Sequence, residues 1–163
     1  MKSCILAFFA LFSLQALASE HEYGLGFILG EPTAISFKYN RATTESYDAQ
    51  LSFAFHDYLI LYGDRLWNFP GLFRKNNEFT QHLVPYVGVG PVLAFAGATD
   101  HSQGDYFHRR SDSFAMGVRV PFGAEWMWEK VPLGIGLELA PAIVILPGTE
   151  GFLMGGLTIR YYF

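Results

Sequence analysis

The sequence predicts an all-β protein, an eight-stranded antiparallel up-and-down transmembrane β-barrel. The last stretch of the chain, 152–163, alternates without interruption between two faces, which is the period of a β-strand that separates two environments. Of the 163 residues, 51% are hydrophobic and only 16% are charged, a low charge content for a small domain in water. Similar alternating stretches recur along the chain, and one of their faces is bulky and apolar while the other is small or charged.

The amino-terminal residues 1–18 have the composition of a secretory signal peptide. Lys2 supplies the positive charge, 5–14 is the apolar core and Ala16–Ala18 is a small-x-small cleavage site, so we expect 19–163 to form the barrel domain. The alternative is an uncleaved membrane anchor. It is disfavoured because the apolar run is shorter than the ~20 residues of a spanning helix.

Charge and cysteine content exclude several classes of protein. The net charge of −4 gives no basis for nucleic-acid binding. The single cysteine, Cys4, lies in the predicted signal peptide, so the exported chain would have neither a disulfide nor a cysteine-based metal site. We expect no cofactor and no metal.

The first three strands are predicted at 23–29, 34–40 and 46–55. In each of them aromatic and aliphatic residues occupy alternate positions, with Gly, Ala, Ser or charged residues between them. The turn at 30–32 contains Gly and Pro and the turn at 41–45 is polar, and both compositions interrupt strands.

The fourth strand, predicted at 58–67, is less regular. Its alternation places Tyr62 and Asp64 toward the interior and Arg65 outward near one end. The connection that follows, 68–82, is longer than the usual periplasmic turn of such barrels.

The fifth strand, predicted at 83–96, contains Pro85 and Pro91. Each proline removes a donor from the hydrogen-bond ladder, so we expect β-bulges there. The polar connection 97–112 is predicted to be the long extracellular loop, and 114–128 is the sixth strand.

Strands seven and eight, predicted at 133–145 and 152–163, complete the barrel. The turn at 129–132 precedes strand seven, and Pro147-Gly148 precedes strand eight. An even number of strands brings both ends of the barrel to the same side, which we interpret as the periplasmic side.

The volume of the side chains predicts which face is inside. Eight strands enclose an interior just wide enough to be filled by side chains, and the aromatic face would overfill it. We therefore expect the bulky face to meet lipid and a polar network of three cations and four anions to fill the lumen, since buried charges persist only when paired. The predicted lumen network is Lys38, Asp48, Gln50, Asp64, Arg119, Glu125, Glu138 and Arg160.

The same topology collects tyrosines and tryptophans at the periplasmic end of the strands. Such residues form an aromatic girdle where hydrocarbon gives way to water. The predicted girdle is Tyr23, Tyr39, Tyr47, Trp67, Trp126, Trp128 and Tyr161, with Phe163 at the same level.

Two segments carry a resemblance to known proteins. GLGFILGEPTAISFKY (24–39) and the ending GGLTIRYYF (155–163) resemble a family of predicted bacterial outer-membrane barrels with a GEPT segment and no assigned activity, and the architecture is similar to the OmpA/OmpX-like class. The resemblance implies a Gram-negative outer membrane and reading of Tyr161 and Phe163 by the barrel-assembly machinery during insertion. We also expect contact with outer-membrane lipid and lipopolysaccharide, and a monomer.

Other candidate sites have simpler interpretations. The predicted extracellular loop carries side chains of the types that can bind a divalent metal, namely Asp100, His101, Asp105 and His108. Their spacing matches no motif, which favours a solvated loop. Arg109 and Arg110 could meet lipopolysaccharide phosphates, because guanidinium groups suit phosphate geometry, but surface solvation is again the simpler interpretation.

Catalysis would need a nucleophile beside a base. His56 and Ser113 are the candidate pair, but they lie on predicted strands three and six, across the barrel, which is unfavourable for a hydrogen bond of about 3 Å. An ion or proton path along the inward charges is disfavoured because an eight-stranded lumen is filled.

The sequence therefore predicts a non-enzymatic integral outer-membrane barrel with a structural or surface-interaction role. Two alternatives remain open. A lipid A-modifying enzyme would need a Ser/His site open to lipid, and a soluble secreted ligand-binding barrel would need an apolar interior.

Overall fold

A computed structural model describes residues 22–54, 58–73, 78–96, 114–128 and 131–163. Within these ranges the chain forms nine β-strands, which are β1 (Tyr23–Glu31), β2 (Ala34–Ala42), β3 (Glu45–Ala54), β4 (Tyr58–Asn68), β5 (Leu83–Ala96), β6 (Phe114–Arg119), β7 (Phe122–Met127), β8 (Leu133–Leu146) and β9 (Glu150–Tyr162). A helix of four residues, α1 (Glu78–Gln81), precedes β5. None of the helical segments in the described ranges has the length and apolarity needed to cross a bilayer.

The strands form one antiparallel sheet that closes on itself. From β1 to β5 each strand pairs with the next in the chain, and β8 pairs with β9, which closes the barrel on β1. Both β6 and β7 lie between β5 and β8, so they are two halves of one barrel strand. The predicted eight-stranded antiparallel up-and-down barrel is confirmed.

The break between β6 and β7 falls at Val120 and Pro121. Pro121 has no N–H to donate. Its carbonyl nevertheless accepts a hydrogen bond from the Gly88 N–H at 2.7 Å, and the Val120 N–H donates to the carbonyl of Pro141 at 2.9 Å. The predicted sixth strand therefore has the correct neighbours in the sheet, but it is wrong as one continuous strand. It is interrupted at Val120 and Pro121, which still form backbone hydrogen bonds to the adjacent strands.

The β-bulges expected at the two prolines of β5 were a wrong prediction. The register between β4 and β5 is constant, with Tyr62 opposite Val92 and Arg65 opposite Val89. Between these two pairs, beside Pro91, the ladder is interrupted without an inserted residue. A missing donor loses one ladder bond, whereas an inserted residue would turn the following side chains to the other face.

The register does shift elsewhere. One irregularity lies between Asn40 and Ala42, where β2 pairs with β3, and another lies between Met116 and Gly117, where β6 pairs with β8. Both are near strand ends, where bulges are common at the rims of barrels.

The two faces of the sheet differ in the way that the alternation predicts. The outward face is apolar and exposed, and includes Leu25, Phe27, Leu29, Ile35, Phe37, Leu61, Val89, Val118, Phe122, Leu137, Ile143 and Leu153. The inward face holds small residues and buried polar groups. At Gly134 an added Cβ would lie 2.5 Å from Oε1 of Glu125, and at Gly24 it would lie 2.7 Å from the Tyr162 ring. Glycine at these inward positions leaves room for buried polar side chains.

Candidate functional site: the barrel interior

Arg160, on β9, is a fully buried guanidinium at the centre of one interior cluster. Its Nη2 donates to Oδ2 of Asp48 at 2.7 Å, and its Nε donates to Oγ of Ser36 at 2.9 Å. The Ser36 hydroxyl in turn donates to Oδ1 of Asp48 at 2.8 Å. The third partner is Glu125, whose Oε2 lies 3.6 Å from Nη1 of Arg160. Strands β2, β3 and β7 thus each supply a partner to one buried cation on β9.

Glu125, on β7, accepts hydrogen bonds from side chains on two other strands, β2 and β9. The ammonium group of Lys38 donates to Oε2 at 2.8 Å, and the hydroxyl of Tyr162 donates to Oε1 at 2.6 Å. Arg160 is its third partner. Charge-assisted hydrogen bonds of this length offset part of the desolvation of a buried carboxylate.

A second cluster is built around Arg119, on β6. Its guanidinium donates from Nε to both carboxylate oxygens of Asp64 at 3.0 Å, and Nη2 contacts Oδ2 of the same side chain. Nη2 also donates to Oε1 of Glu138 at 3.2 Å. The guanidinium carbon lies 4.5 Å from the centre of the Tyr62 ring, a cation–π arrangement.

Gln50, on β3, joins the two clusters. Its amide nitrogen donates to Oδ2 of Asp48 at 2.9 Å and to Oε1 of Glu138 at 3.2 Å. Glu138 also accepts from the hydroxyl of Tyr86 at 2.9 Å. These side chains therefore form one connected hydrogen-bond network that bridges opposite walls of the barrel.

The structure brings together all eight residues of the predicted lumen network. It adds four side chains that the sequence analysis did not assign to that network, namely Ser36, Tyr62, Tyr86 and Tyr162. Their inward phase is visible in the alternation of their strands, but the tyrosines of this chain are also candidates for an aromatic girdle. The phase of each tyrosine along its strand is the signal that separates the two groups.

The other half of the interior is apolar. A buried cluster consists of Ile60, Tyr62, Val92, Ala94, Ala115, Ala140, Ala142, Val144 and Met154, with Phe152 packed against it. On β9 Met154 precedes Arg160, and on β8 Val144 follows Glu138, so the apolar cluster lies toward the end of the barrel opposite the carboxyl terminus. The interior is divided along its axis into a charged half and an apolar half.

A cavity of about 290 Å³ opens at the charged end. Lys38, Glu125 and Tyr162 form part of its wall, together with Asn40, Asn68 and Met127. Within this wall Lys38 and Tyr162 both donate to Glu125, and the Asn68 amide donates to the Ser46 hydroxyl at 3.1 Å. The cavity is thus a short vestibule over the network.

The predicted girdle residues lie at the end of the barrel that carries this vestibule. Tyr39 pairs across the sheet with both Tyr23 and Tyr47, and the rings of Tyr23 and Tyr39 are 5.1 Å apart. On the other side of the barrel the rings of Trp126 and Trp128 are 4.3 Å apart. The remaining members, Trp67 and Tyr161, are exposed on the outward face at the same end.

Phe163 lies at the seam where the barrel closes. The Phe163 N–H donates to the carbonyl of Tyr23 at 2.8 Å, and the Tyr23 N–H donates back to Phe163 at 3.2 Å. Their rings are 6.3 Å apart. The last residue of the chain therefore pairs directly with the start of β1.

Several sequence candidates lie outside the described residues. They are the signal peptide, the loop candidates Asp100, His101, Asp105, His108, Arg109 and Arg110, and the pair His56 and Ser113. Among the residues that the structure does describe, no group of three or more His, Cys, Asp or Glu side chains is arranged to hold a metal ion.

These features define a closed eight-stranded antiparallel β-barrel with an ionic interior and an apolar exterior. The crystal structure of the N-terminal β-barrel domain of Pseudomonas aeruginosa OprF has a similar fold, with a TM-score of 0.56 and 15% sequence identity over 86% of this chain and 95% of that chain. Neither a protein-family model nor a curated protein matches the sequence. The similarity to the OprF domain shows the fold.

Proposed function

We propose that this protein is an integral outer-membrane β-barrel with a structural or surface-interaction role and no catalytic activity. The observation that carries the proposal is the inversion of the barrel. The charged side chains of the lumen are buried and mutually bonded, while the large apolar side chains of the strands face outward. In water this arrangement would leave a wide apolar band exposed. In a bilayer the apolar outer face would contact hydrocarbon, and the barrel wall would shield the polar interior from lipid.

The exposure of single residues indicates how apolar the outer surface is. Leu137 is 67% exposed, Leu153 63% and Phe27 58%, and all three lie within strands. Each large apolar side chain moved out of water is worth roughly 1.5–3 kcal/mol. A belt of such residues around a closed sheet supports insertion into hydrocarbon, since a closed barrel also leaves no unpaired strand edge for lipid to meet.

The aromatic end of the barrel supports an orientation in the membrane. Tyrosine and tryptophan collect at membrane–water interfaces, and the residues at this end include Trp67, Trp128 and Tyr161 on the outward face. The predicted signal peptide and the resemblance to OmpA/OmpX-like barrels favour the outer membrane of a Gram-negative cell. We assign this end to the periplasmic side, with Tyr161 and Phe163 as the assembly signal.

The interior supports a structural role. Its cations are all engaged by carboxylates, and a buried apolar cluster lies between the vestibule and the other end. A network of this kind holds opposite walls together, because removing one partner leaves an uncompensated buried charge. The soluble ligand-binding alternative needs an apolar interior, and the charged half does not supply one.

The proposal is tested by membrane fractionation of the expressed protein, together with gel migration of detergent-refolded protein before and after heating. We expect the protein in the outer-membrane fraction, and faster migration of the unheated folded form. Recovery in the soluble periplasmic fraction would overturn the proposal. A change in the mass spectrum of lipid A on expression would overturn its non-catalytic part in favour of the lipid A-modifying alternative.

A further inference from the structure

The turn between β4 and α1, residues 69–73, has an ordered backbone. The Phe69 N–H donates to the carbonyl of Pro85 at 2.8 Å, and the Leu72 N–H donates to the carbonyl of Phe69 at 3.3 Å. Pro70 and Gly71 lie between them, and Gly71 has a φ of 82°. Proline followed by a glycine of positive φ is the sequence of a type II turn. The segment therefore presents its side chains in a defined geometry.

The side chains of this turn are apolar and exposed. Phe69 is 45% exposed, Leu72 64% and Phe73 50%. Phe69 continues the outward phase of Trp67, since the intervening Asn68 is buried. Large exposed apolar patches on proteins mark sites that contact membranes or other proteins.

The level of the turn follows from its neighbours on the outer wall. Arg65 lies over the Trp67 ring at 5.4 Å and forms an ion pair with Glu45 at 2.9 Å. Charged side chains on an outward face belong at the headgroup level, because charge is costly deeper in the bilayer. Phe69, two residues beyond Trp67, lies further toward water by roughly 7 Å along the strand. The hydrogen bond from the Leu72 N–H to the Phe69 carbonyl closes the turn, so the chain reverses there and the apolar surface ends within the headgroup layer.

Not every turn at this end has that character. The turn between β2 and β3 is formed by Thr43 and Thr44, both exposed, and is flanked by Arg41 and Glu45. The exposed apolar side chains of the 69–73 turn thus distinguish it from the β2–β3 turn at the same end.

We propose that the 69–73 turn is an interfacial anchor that inserts into the boundary between headgroups and acyl chains of the adjacent lipid leaflet. The proposal rests on the membrane location proposed above, and its basis is the continuity of the turn with the outward face of β4. The ligand class is a zwitterionic or anionic phospholipid surface. Amphipathic segments bind such surfaces with their apolar side about 5–10 Å below the headgroups. Anchoring on one side of the barrel would fix its depth and tilt.

The test places a fluorescent label at single cysteines, since residues 19–163 contain none. Leu72→Cys and Phe73→Cys report the anchor. Thr43→Cys is the matched control at the same end, and Leu137→Cys reports the middle of the outer wall. The labelled proteins are refolded into vesicles of phosphatidylethanolamine and phosphatidylglycerol, and folding is checked by heat-dependent gel migration. Quenching is then measured with iodide in water and with lipids that carry a nitroxide near the headgroup.

We expect the labels at residues 72 and 73 to be quenched several-fold more by the shallow nitroxide, and less by iodide, than the label at residue 43. Equal quenching at residues 72, 73 and 43 would overturn the anchor. The anchor would also be overturned if the labels at residues 72 and 73 lost their protection from iodide at a lower protein-to-lipid ratio. That result would mean that a second copy of the chain, and not lipid, covers the turn. The label at residue 137 separates the two proposals. If it too is quenched by iodide, the membrane location itself fails.

Discussion

At the scale of single residues, the most constrained side chain is Arg160. It is fully buried, and its neighbours Asp48 and Glu125 are buried carboxylates on two other strands. A guanidinium suits this position because its planar fork can serve several acceptors at once. It compensates the charge of two carboxylates at once, and both of these are buried from solvent.

We predict that Arg160→Met lowers the free energy of unfolding by about 3–5 kcal/mol, because it leaves buried carboxylates uncompensated. The matched control is Arg65→Met on the outward face, whose ion pair with Glu45 is half-exposed and is worth about 0–1 kcal/mol. Urea titrations of the refolded protein in vesicles measure both. Equal losses in the two variants would contradict the buried network.

We predict that Leu157→Arg, on the outward face opposite Leu137, costs about 2–4 kcal/mol, the penalty for a cation near the middle of a bilayer. Leu146→Arg, at the end of β8, serves as the control and should cost about 0–1 kcal/mol. The same unfolding titrations compare them. A near-neutral Leu157→Arg would mean that this face does not meet hydrocarbon.

At the scale of elements, the inward glycines explain how a narrow barrel holds seven buried charges. β8 alternates Gly134 and Gly136 with large outward residues, so its inner surface beside Glu125 is almost bare backbone. In these strands glycine therefore allows large interior side chains to pack against the backbone, and it is not a source of flexibility. Glycine in a strand often marks such a close approach.

We predict that Gly134→Ala costs about 1–3 kcal/mol, because its new methyl group would displace the Glu125 carboxylate from Lys38 and Tyr162. Gly63→Ala is the matched control within a strand, since an added Cβ at Gly63 has no atom within 4 Å. It should change stability by less than about 0.5 kcal/mol. Thermal unfolding followed by gel migration gives the comparison. A neutral Gly134→Ala would show that Glu125 has space to move.

At the scale of the whole molecule, the division of the interior has a consequence for transport. The charged half is reached from the vestibule, but the apolar cluster that includes Val92, Val144 and Met154 fills the other half. Water and ions entering at one end would meet an apolar section without partners for them. The described cavity opens at the end of the barrel where β1 begins and β9 ends.

We predict that the protein shows no steady ion conductance in planar lipid bilayers. Truncating the apolar half by Val144→Gly with Met154→Gly should raise conductance, whereas Gln50→Ala, within the charged half, should not. Single-channel recordings measure this directly. Open-channel currents from the unaltered protein would contradict the sealed interior.

The sequence alone determined the architecture and the direction of each face. A period of two is a local property, and the bulk of Phe27 or Phe122 beside Gly26 or Gly123 already indicates which face can fit inside eight strands. The seven buried charged residues and Gln50 could be named in this way, whereas the buried amide of Asn68 was not. The local pattern also placed Tyr62 and Asp64 inward and Arg65 outward, as the structure has them.

Only the tertiary structure decided which of these residues meet. Arg160 bonds Asp48 across 112 positions of the chain, and Lys38 bonds Glu125 across 87. Such pairs depend on the register of every strand between them and on closure of the sheet. Neither can be deduced from the alternation of residues within a single strand. The same reason explains why the break at Pro121 and the unshifted register beside Pro91 could not be predicted. The effect of a proline depends on which partner group it faces, and the partner is set by the closed barrel.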